Sequence, residues 1–352
     1  MYTHRTILNV DCLRWCNASC FTTYTAWIGA VAITAILIAT ARPTCGRASD
    51  QGPQHKLGIV LIDTGAVVTI DDEMFAQYHT RSGTRPVLWP VIGPTGKPVT
   101  RSYSVSQPGP DEETDHVHHR SLWFGYEGIN GIDFWHEPEM KRDRPLPIGS
   151  VRHKEFTRSD SNGKVATLAS RNDYLNPSGN IVAHDERLWE FGCEGNFRWI
   201  DCRIRLWSSD GPLRIRDTKE GAFAVRVSGT IKVDAKKGGK IVSSNGDENT
   251  AAWGKRAGWV DYHGPVDGET VGIAILAHPS SHDPEPRWHV RPYGLLAANP
   301  FGAADYTNGE VIGGLEVPED ESVTLRHRVL IHRGDYLSAD VAGAYELYKK
   351  TK

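Results

Sequence analysis

A histidine-rich stretch, DHVHHRSLWF, holds the densest group of chemically useful side chains in the sequence. Between Asp115 and Arg120 it carries three histidines, an aspartate and an arginine. Imidazoles exchange protons near neutral pH, and a neighbouring carboxylate or guanidinium can orient the ring or hold a substrate oxygen. In a strand, His116 and His118 would share one face, and two imidazoles on one face can also begin a metal site. Acid-base chemistry, metal ligation and a solvated polar loop are therefore all open interpretations.

Two further motifs combine carboxylates with polar or aromatic neighbours. In NGIDFWHEP, Trp135 lies between Asp133 and His136, and an aromatic face beside polar groups is typical of a sugar-binding site. In RDTKEGAFAVRV, Asp217 and Glu220 stand at the turn before a predicted strand, where two carboxylates can exchange protons with a substrate. A core tryptophan and an ordinary acidic turn are the alternatives.

The later segments WGKRAGWVDYHG and HPSSHDPEPRWHVRPYGLLAANPFG are rich in glycine and proline and carry many polar and aromatic side chains. Such residues at the ends of short strands indicate a lined pocket more than a core. The candidates here are Lys255, Arg256, His278, Trp288, His289 and Arg291. The sequence has no Gly-x-Ser-x-Gly, His-Glu-x-x-His or Gly-x-Gly-x-x-Gly motif, which argues against a serine nucleophile, a zincin centre and a Rossmann cofactor.

Strand patterns dominate the chain that must position these residues. Segments such as RLWEFGCEGNFRWIDCRIRLWSS and ESVTLRHRVLIHRGD alternate polar residues with β-branched or aromatic ones between turn residues. Helical periodicity is confined to residues 71–79, for which we predict a short helix, and to residues 338–350, a terminal helix capped by Ser338 or Asp340. Strands without alternating helices predict an all-β protein, with residues 51–352 forming a single large antiparallel β-sandwich with few short helices.

Two cysteines, Cys193 and Cys202, lie in the predicted sandwich, on strands joined at Gly195-Asn196. A tight turn there places Cys193 opposite Arg198 instead of opposite Cys202. A disulfide is possible but not favoured, and we therefore expect two buried thiols.

Residues 1–50 form a leader of different composition. No charged residue occurs between Arg14 and Arg42, and WIGAVAITAILIATA within this interval is almost wholly apolar. This pattern predicts a signal peptide, with Ala39-Thr40-Ala41 as the small-x-small cleavage site, or else a single membrane anchor. We expect an exported protein, periplasmic or at the cell surface, that meets the membrane only through this segment.

The numbers of basic and acidic residues indicate which kinds of partner the protein can bind. With 40 Lys and Arg against 43 Asp and Glu, the formal net charge is -3. A nucleic-acid surface needs a basic patch or stripe, and the sequence shows no such excess. We therefore expect a small-molecule or oligosaccharide partner and no nucleic acid.

Six motifs occur in unbroken order between Arg85 and Asp335: RPVLWPVIGPTGKPVTRSY, DHVHHRSLWFGYEGINGIDFW, DTKEGAFAVRV, WGKRAGWVDYHGPVDG, WHVRPYGLLAANPFG and LRHRVLIHRGD. Together they resemble the signatures of a bacterial domain family of unknown function, often labelled PmoA family or methane oxygenase PmoA. The resemblance implies a fold related to the galactose-mutarotase supersandwich and a role in carbohydrate metabolism. Val117 departs from the family pattern, which has proline between the histidines, and a proline would make this loop more rigid.

The methane oxygenase label does not suit this sequence. The membrane subunit of that name is a bundle of transmembrane helices, whereas the body of this chain has no apolar run long enough to span a bilayer. We therefore expect a carbohydrate-active enzyme, a hydrolase, lyase or epimerase that acts on a sugar or an oxidised sugar. A carbohydrate-binding protein without catalysis and a metal-dependent oxygenase are the alternatives.

The expected mechanism is acid-base catalysis by histidine and carboxylate side chains. The candidates for proton transfer are His118, His119, His289, Glu220 and Asp217. The candidates for substrate binding are Asp115, His116, Arg120, Trp123, Trp135, Lys255, Arg256, His278, Trp288 and Arg291. No cofactor is predicted, although a divalent metal remains an alternative.

Overall fold

The protein consists of two large sheets, and in most of their strands buried side chains alternate with more exposed ones. The computed structural model describes residues 55–141 and 146–352, and the predicted leader of residues 1–50 lies outside this range. The strands are β1 (Leu57–Ile62), β2 (Gly65–Ile70), β3 (Glu73–Ser82), β4 (Arg85–Val91), β5 (Leu122–Ile129), β6 (Ile132–Asp133), β7 (Ser150–Ser161), β8 (Val165–Leu175), β9 (Ile181–Glu194), β10 (Phe197–Ser208), β11 (Leu213–Ile215), β12 (Gly221–Arg226), β13 (Lys240–Ser243), β14 (Trp259–Val266), β15 (Glu269–Ala277), β16 (Arg287–Arg291), β17 (Leu295–Asn299), β18 (Leu315–Val317) and β19 (Val323–Arg333).

The strands pair antiparallel in both sheets. The first sheet has the order β1-β2-β3-β4-β5-β12-β17-β16. In addition, β6 and β11 pair with β5, and β18 pairs with β11. The second sheet has the order β13-β14-β15-β19-β10-β9-β8-β7. The predicted fold class, an all-β antiparallel sandwich with few short helices, is confirmed.

The main core lies between the sheets and is formed by the inward-facing residues of both. Phe223 of β12 and Trp189 of β9 meet there with ring centroids 6.2 Å apart. Phe75 of β3 and Phe191 of β9 make a second contact between the sheets, edge to face at 6.1 Å. Each such side chain contributes about 1.5–3 kcal/mol through its burial, so the sandwich is held mainly by apolar packing.

The helix predicted for residues 71–79 is wrong, because this segment lies mostly in strand β3 (Glu73–Ser82). Phe75 and Tyr78 are both buried by the sandwich. The pairing register with β4 shifts between Ala76 and Tyr78. This irregularity breaks the two-residue alternation from which a strand is predicted, and the tertiary pairing outweighs the local pattern.

The terminal helix is confirmed as α2 (Val341–Tyr348), and the Asp340 side chain caps it by accepting a hydrogen bond from the Gly343 amide at 3.0 Å. The remaining helices are one turn each: α1 (Ala304–Thr307) and the 3-10 helices Val233–Ala235 and Asn249–Ala252. Within the described ranges, no helix is long and apolar enough to cross a membrane.

The expectation of two thiols is also confirmed. Cys193 pairs with Arg198 across the hairpin of β9 and β10, and Cys202 pairs with Trp189. Both cysteines are free thiols.

Candidate functional site

The outer face of the first sheet carries a row of residues that the core does not use. Across β5, β12, β17 and β16, Trp123 pairs with Ala224, Ala224 with Ala297, and Ala297 with His289. Directly paired residues of neighbouring strands share one face of a sheet. Two small alanines lie in the middle of the row between a tryptophan and a histidine, and we call this buried row the floor of the candidate site.

A loop carrying the histidine-rich motif covers one end of this floor. The motif forms a turn, in which the His119 amide donates to the His116 carbonyl at 2.9 Å, so the strand geometry considered for His116 and His118 is wrong. The His119 ring stacks on Trp123 at 5.5 Å and meets Trp135 at 5.7 Å. Because a turn does not alternate its side chains, the three histidine rings contact one another, and His118 and His119 also lie against the tryptophans.

Trp123 and Trp135 lie below the histidine rings, where they are buried. Trp123 and Trp135 have 0% exposure and pack against each other with ring centroids 5.2 Å apart. Neither indole N–H has a hydrogen-bond partner. Their position supports the imidazole rings and leaves no exposed face of either indole for a sugar to stack on.

Arg226, at the end of β12, fixes the orientation of the histidine turn. Its guanidinium donates to His119 Nδ1 at 3.0 Å and to Asp115 Oδ1 at 3.3 Å. The other oxygen of Asp115 accepts from His116 Nδ1 at 2.6 Å. Burial raises the pKa of Asp115, but the His116 hydrogen bond and the Arg226 charge outweigh it and lower that pKa to about 2. The carboxylate is therefore ionised at neutral pH.

His118 and His119 are neutral at the same pH. Burial is the main cause that lowers both pKa values well below the usual histidine range, and the charge of Arg226 adds to it. Since an arginine only donates, His119 Nδ1 must accept, which places the remaining proton of His119 on Nε2. The Nδ1 of His118 has no hydrogen-bond partner.

The other end of the floor carries Glu220, Lys219 and His289. The Lys219 ammonium lies 3.1 Å from the Glu220 carboxylate. Burial raises the pKa of Glu220, but the charges of His289 and Lys219 outweigh it and lower the value, so Glu220 is ionised. Burial lowers the pKa of His289 to about 4, which makes its imidazole neutral. The Nδ1 of this ring is buried and has no hydrogen-bond partner among the described residues.

The two ends of the site interact electrostatically. A proton on His289 would lower the pKa of His119, and a proton on His136 would lower that of Glu220. The rings of His118 and His136 lie 4.9 Å apart. His118, His119, His289 and Glu220, which the sequence predicted as catalytic candidates, thus converge on one small region with His136.

Asp217, the fifth catalytic candidate, has a different position. Its carboxylate accepts from the amides of Ala303, Ala304 and Gly313, with the shortest contacts at 2.7 Å. The Tyr126 hydroxyl donates hydrogen bonds to the carbonyls of Arg216 and Thr218, the residues on either side of Asp217. Asp217 therefore fixes the turn that presents Lys219 and Glu220, and its oxygens are already used by backbone donors.

The rim of the site is built from partly exposed aromatic and charged side chains. Tyr293 is stacked between His116, at 4.9 Å, and the guanidinium of Arg226, at 4.6 Å from its ring. Arg291 lies over the ring of Trp253 at 4.8 Å. The rings of Trp253 and Tyr293 are more exposed than those of Trp123 and Trp135.

Several candidates for substrate binding lie elsewhere. Arg120 is beside the histidine turn, but it is bound to Glu137 at 3.2 Å and to the Ser104 carbonyl at 3.1 Å. Lys255 is exposed, and Arg256 forms an ion pair with Asp283 at 2.7 Å.

Trp288 and His278 lie outside the region where the catalytic candidates come together. Trp288 faces the main core with 0% exposure, and its indole donates to the Ala257 carbonyl at 3.0 Å. His278 follows β15 in the second sheet, where it bonds Ser280 and the carbonyl of Thr351. The structure brings neither of them to the floor.

Three residues of the site were missed as candidates: Lys219, Arg226 and Trp253. Arg226 lies two residues after Ala224 on β12 and so shares its face, a signal available only once the strand and its partners are known. Lys219 adjoins Glu220, and this adjacency could have identified it. Trp253 lies outside the strands, where no periodicity fixes its direction.

One group among the described residues has a donor set suited to a divalent cation. The ligand atoms of Glu127, Asp133 and His136 lie within 4.8 Å of one another. Oxygen and imidazole donors fit several divalent metals. Each of the three side chains is also engaged with the protein: Asp133 accepts from His136 at 2.9 Å, and Glu127 accepts from Thr218 at 3.0 Å. The alternative of a divalent metal therefore remains a prediction.

The fold and this geometry define a class of protein: a two-sheet antiparallel β-sandwich with a histidine, carboxylate and aromatic site on the outer face of one sheet. The chain belongs to DUF6807, a family of unknown function, whose sequence model matches residues 65–346. The expected membership of a domain family of unknown function is thus confirmed, and the PmoA label gains no support from the comparisons. No curated protein matches the chain.

Two solved structures are similar to the chain at low identity. One is the galactosidase domain of the α-galactosidase-sucrose kinase AgaSK, with 10% identity and a TM-score of 0.35 over 79% of this chain and 40% of that one. The other is the GH36 α-galactosidase AgaB from Geobacillus stearothermophilus, with 12% identity and a TM-score of 0.26 over 81% of this chain and 39% of that one. The chain spans about two-fifths of the length of either structure.

Proposed function

We propose that the protein is a carbohydrate-active enzyme of the lyase or epimerase type, which moves a proton at a sugar carbon. Three groups come together where the turn before β12 meets β16: the ionised Glu220 carboxylate, the Lys219 ammonium and the neutral His289 imidazole. This arrangement is the observation that supports the proposal. One accessible carboxylate beside a neutral imidazole suits proton abstraction. The glycosidase arrangement instead needs a second carboxylate, and Asp217, the neighbouring candidate, is bound to backbone amides.

The roles follow from the protonation states. Glu220, ionised and with 19% side-chain exposure, accepts the proton from the substrate carbon. Lys219 lies close enough to stabilise negative charge that develops beside that carbon. His289, with an unpartnered Nδ1, accepts a hydrogen bond from a substrate hydroxyl and exchanges its proton. The pairs of planar groups at the rim, Tyr293 with His116 and Arg291 with Trp253, are positioned to contact the sugar ring.

Preorganisation of the turn supports a catalytic use. Asp217 accepts backbone hydrogen bonds from Ala303 and Gly313, and the Tyr306 hydroxyl donates to the Lys219 carbonyl at 3.2 Å. A base held in this way does not need to reorganise during the reaction, which lowers the barrier. A surface that only bound sugar would not require this rigidity around a titratable pair.

The test is hydrogen exchange at carbon. Purified wild-type protein is incubated in D₂O with a panel of monosaccharides and oligosaccharides, including acidic ones, and proton NMR follows deuterium incorporation and the appearance of unsaturated products. We expect exchange or elimination with wild type and a loss of about 10²- to 10⁴-fold for Glu220→Gln, the range of general-base catalysis.

The matched histidine variants are His289→Asn and His278→Asn, of which only the first should reduce the rate, because His278 lies on the second sheet. Sugar binding without exchange or bond cleavage would instead support a carbohydrate-binding protein. Release of reducing ends without exchange at carbon would support a hydrolase. No binding of any sugar would refute the proposal.

A further inference from the structure

Arg291 lies at the rim of the site, and the contacts of its guanidinium group differ from those of the other arginines there. It lies on β16 two residues after His289, and its guanidinium is held over the ring of Trp253 at 4.8 Å. Within residues 55–141 and 146–352, no carboxylate lies within ion-pair distance of this guanidinium, and no hydrogen bond from it is found. Stacking on the indole therefore fixes its position without occupying its five donors.

The other arginines around the site differ from Arg291. Arg226 and Arg101 share the carboxylate of Asp115 at 3.3 and 3.2 Å. Arg85 and Arg120 share the carboxylate of Glu137 at 3.4 and 3.2 Å. These four guanidinium groups hold the protein together, whereas the Arg291 guanidinium is left for a ligand.

A second donor without an acceptor lies beside Arg291. The Nε1–H of Trp253 is buried and has no hydrogen-bond partner among the described residues. Trp253 contacts Tyr306 at 5.1 Å, and Tyr306 in turn lies 6.4 Å from His289. The unpartnered donors therefore adjoin the proposed proton-transfer pair, where a substrate can supply their acceptor.

We propose that the substrate is an acidic sugar whose carboxylate binds the Arg291 guanidinium and the Trp253 indole N–H. A carboxylate is the group that matches a planar guanidinium fork in both charge and geometry. This inference rests on the proposed function, because it places the carboxylate next to the carbon at which Glu220 takes the proton. Uronic acids and their oligomers are the substrate class that combines a sugar ring with such a carboxylate.

The chemistry of the two proposals is consistent. Glu220 removes the proton from the carbon that bears the carboxylate, and the electron pair of that C–H bond moves into the carboxylate to form an enediolate. Arg291 stabilises the added negative charge there. The pair then returns to the opposite face of the carbon with a proton from water, which gives the epimer, and Glu220 releases its own proton to the solvent. Alternatively, the pair expels the oxygen on the adjacent carbon, which takes the proton from Glu220 and leaves an unsaturated sugar.

The experiment measures affinity for matched pairs of ligands by isothermal titration calorimetry. Each pair consists of a methyl uronide and the methyl glycoside of its neutral parent, in the glucose, galactose and mannose series, with short uronic acid oligomers added. The variants are Arg291→Gln, which removes the charge, and Arg291→Lys, which keeps the charge without the fork. Arg256→Gln is the matched control, because this arginine is paired with Asp283 and lies apart from the site.

We expect wild type to bind at least one uronide about tenfold or more tightly than its neutral parent, as a charge-assisted hydrogen bond implies. Arg291→Gln should abolish that preference, Arg291→Lys should restore part of it, and Arg256→Gln should keep it. The hydrogen-exchange assay separates the two proposals. Equal or stronger binding of neutral sugars, with exchange that depends on Glu220, would overturn the inference and leave the proposed function standing. No binding of any sugar would overturn both.

Discussion

His327 gives a prediction about stability that needs no substrate. It lies on β19 inside the main core, fully buried and stacked on Phe223 with ring centroids 4.8 Å apart. Neither ring nitrogen has a hydrogen-bond partner. Burial alone lowers the pKa of this imidazole to about 3. The folded protein therefore keeps His327 neutral at pH values where the unfolded chain, with an ordinary histidine pKa of about 6.5, binds a proton.

The sign and size of the effect follow from proton linkage. Between about pH 6.5 and pH 3 the unfolded state binds the extra proton, so the free energy of unfolding falls as the pH falls, by about 1.4 kcal/mol per pH unit. At about pH 5 the wild type should have lost about 2 kcal/mol through His327 relative to about pH 7.5. His327→Leu removes this loss, because leucine cannot bind a proton.

Urea unfolding followed by tryptophan fluorescence measures the effect. We expect His327→Leu to be as stable as wild type or more stable at about pH 7.5, since two unsatisfied nitrogens are removed, and to gain about 2 kcal/mol relative to wild type at about pH 5. The other buried histidines titrate equally in both proteins, so their contributions cancel in the difference. A difference between variant and wild type that stays constant over this pH range would refute the reasoning.

The remaining predictions concern the site. Asp217→Asn should lower the free energy of unfolding by about 2 kcal/mol, because the amide accepts backbone hydrogen bonds less well than the carboxylate, and a thermal melt measures this loss. Trp123→Ala should cost about 3–5 kcal/mol in a urea titration, because a fully buried indole leaves a cavity under the histidines. Asp115→Asn should cost about 1–2 kcal/mol, because Arg226 and Arg101 lose a shared carboxylate that is 39% exposed and therefore partly screened by solvent. The pKa of Asp115 is about 2, below the ordinary value of 3.8, so its stabilisation is present above pH 3.8 and is lost as the pH falls through about 2.

The strands were predictable because most of them expose one face and bury the other. Strand β9 alternates buried and half-buried residues along most of its length, and the printed sequence shows the same alternation of residue types. In β3 the register shift beside Ala76 breaks this alternation, so the segment was mistaken for a helix. The pattern predicts an element where the pairing is regular and fails where a bulge changes the period.

The site was predictable as a set of residue types but not as a geometry. Trp288 and His289 are neighbours on β16 and both were candidates, yet adjacent residues of a strand point to opposite faces. Only the pairing of β16 with β17 shows that His289 belongs to the outer face and Trp288 to the core. The histidine turn was found because its residues are contiguous, whereas its partner Arg226 is 107 positions away from His119. Contacts of that sequence separation are set by the topology of the sheet.

Strand β12 (Gly221–Arg226) serves the core and the candidate site at once, since all six of its residues are buried. Phe223 contacts the second sheet, while the next residue, Ala224, lies in the floor and Arg226 orients the histidine turn. Inserting or deleting one residue in this strand would exchange the two sets of side chains and destroy folding and site together. Evolution toward a new substrate is therefore confined to the loops, above all to those that carry Trp253 and Tyr293 and to the turn before β12, where a change of specificity does not require a new core.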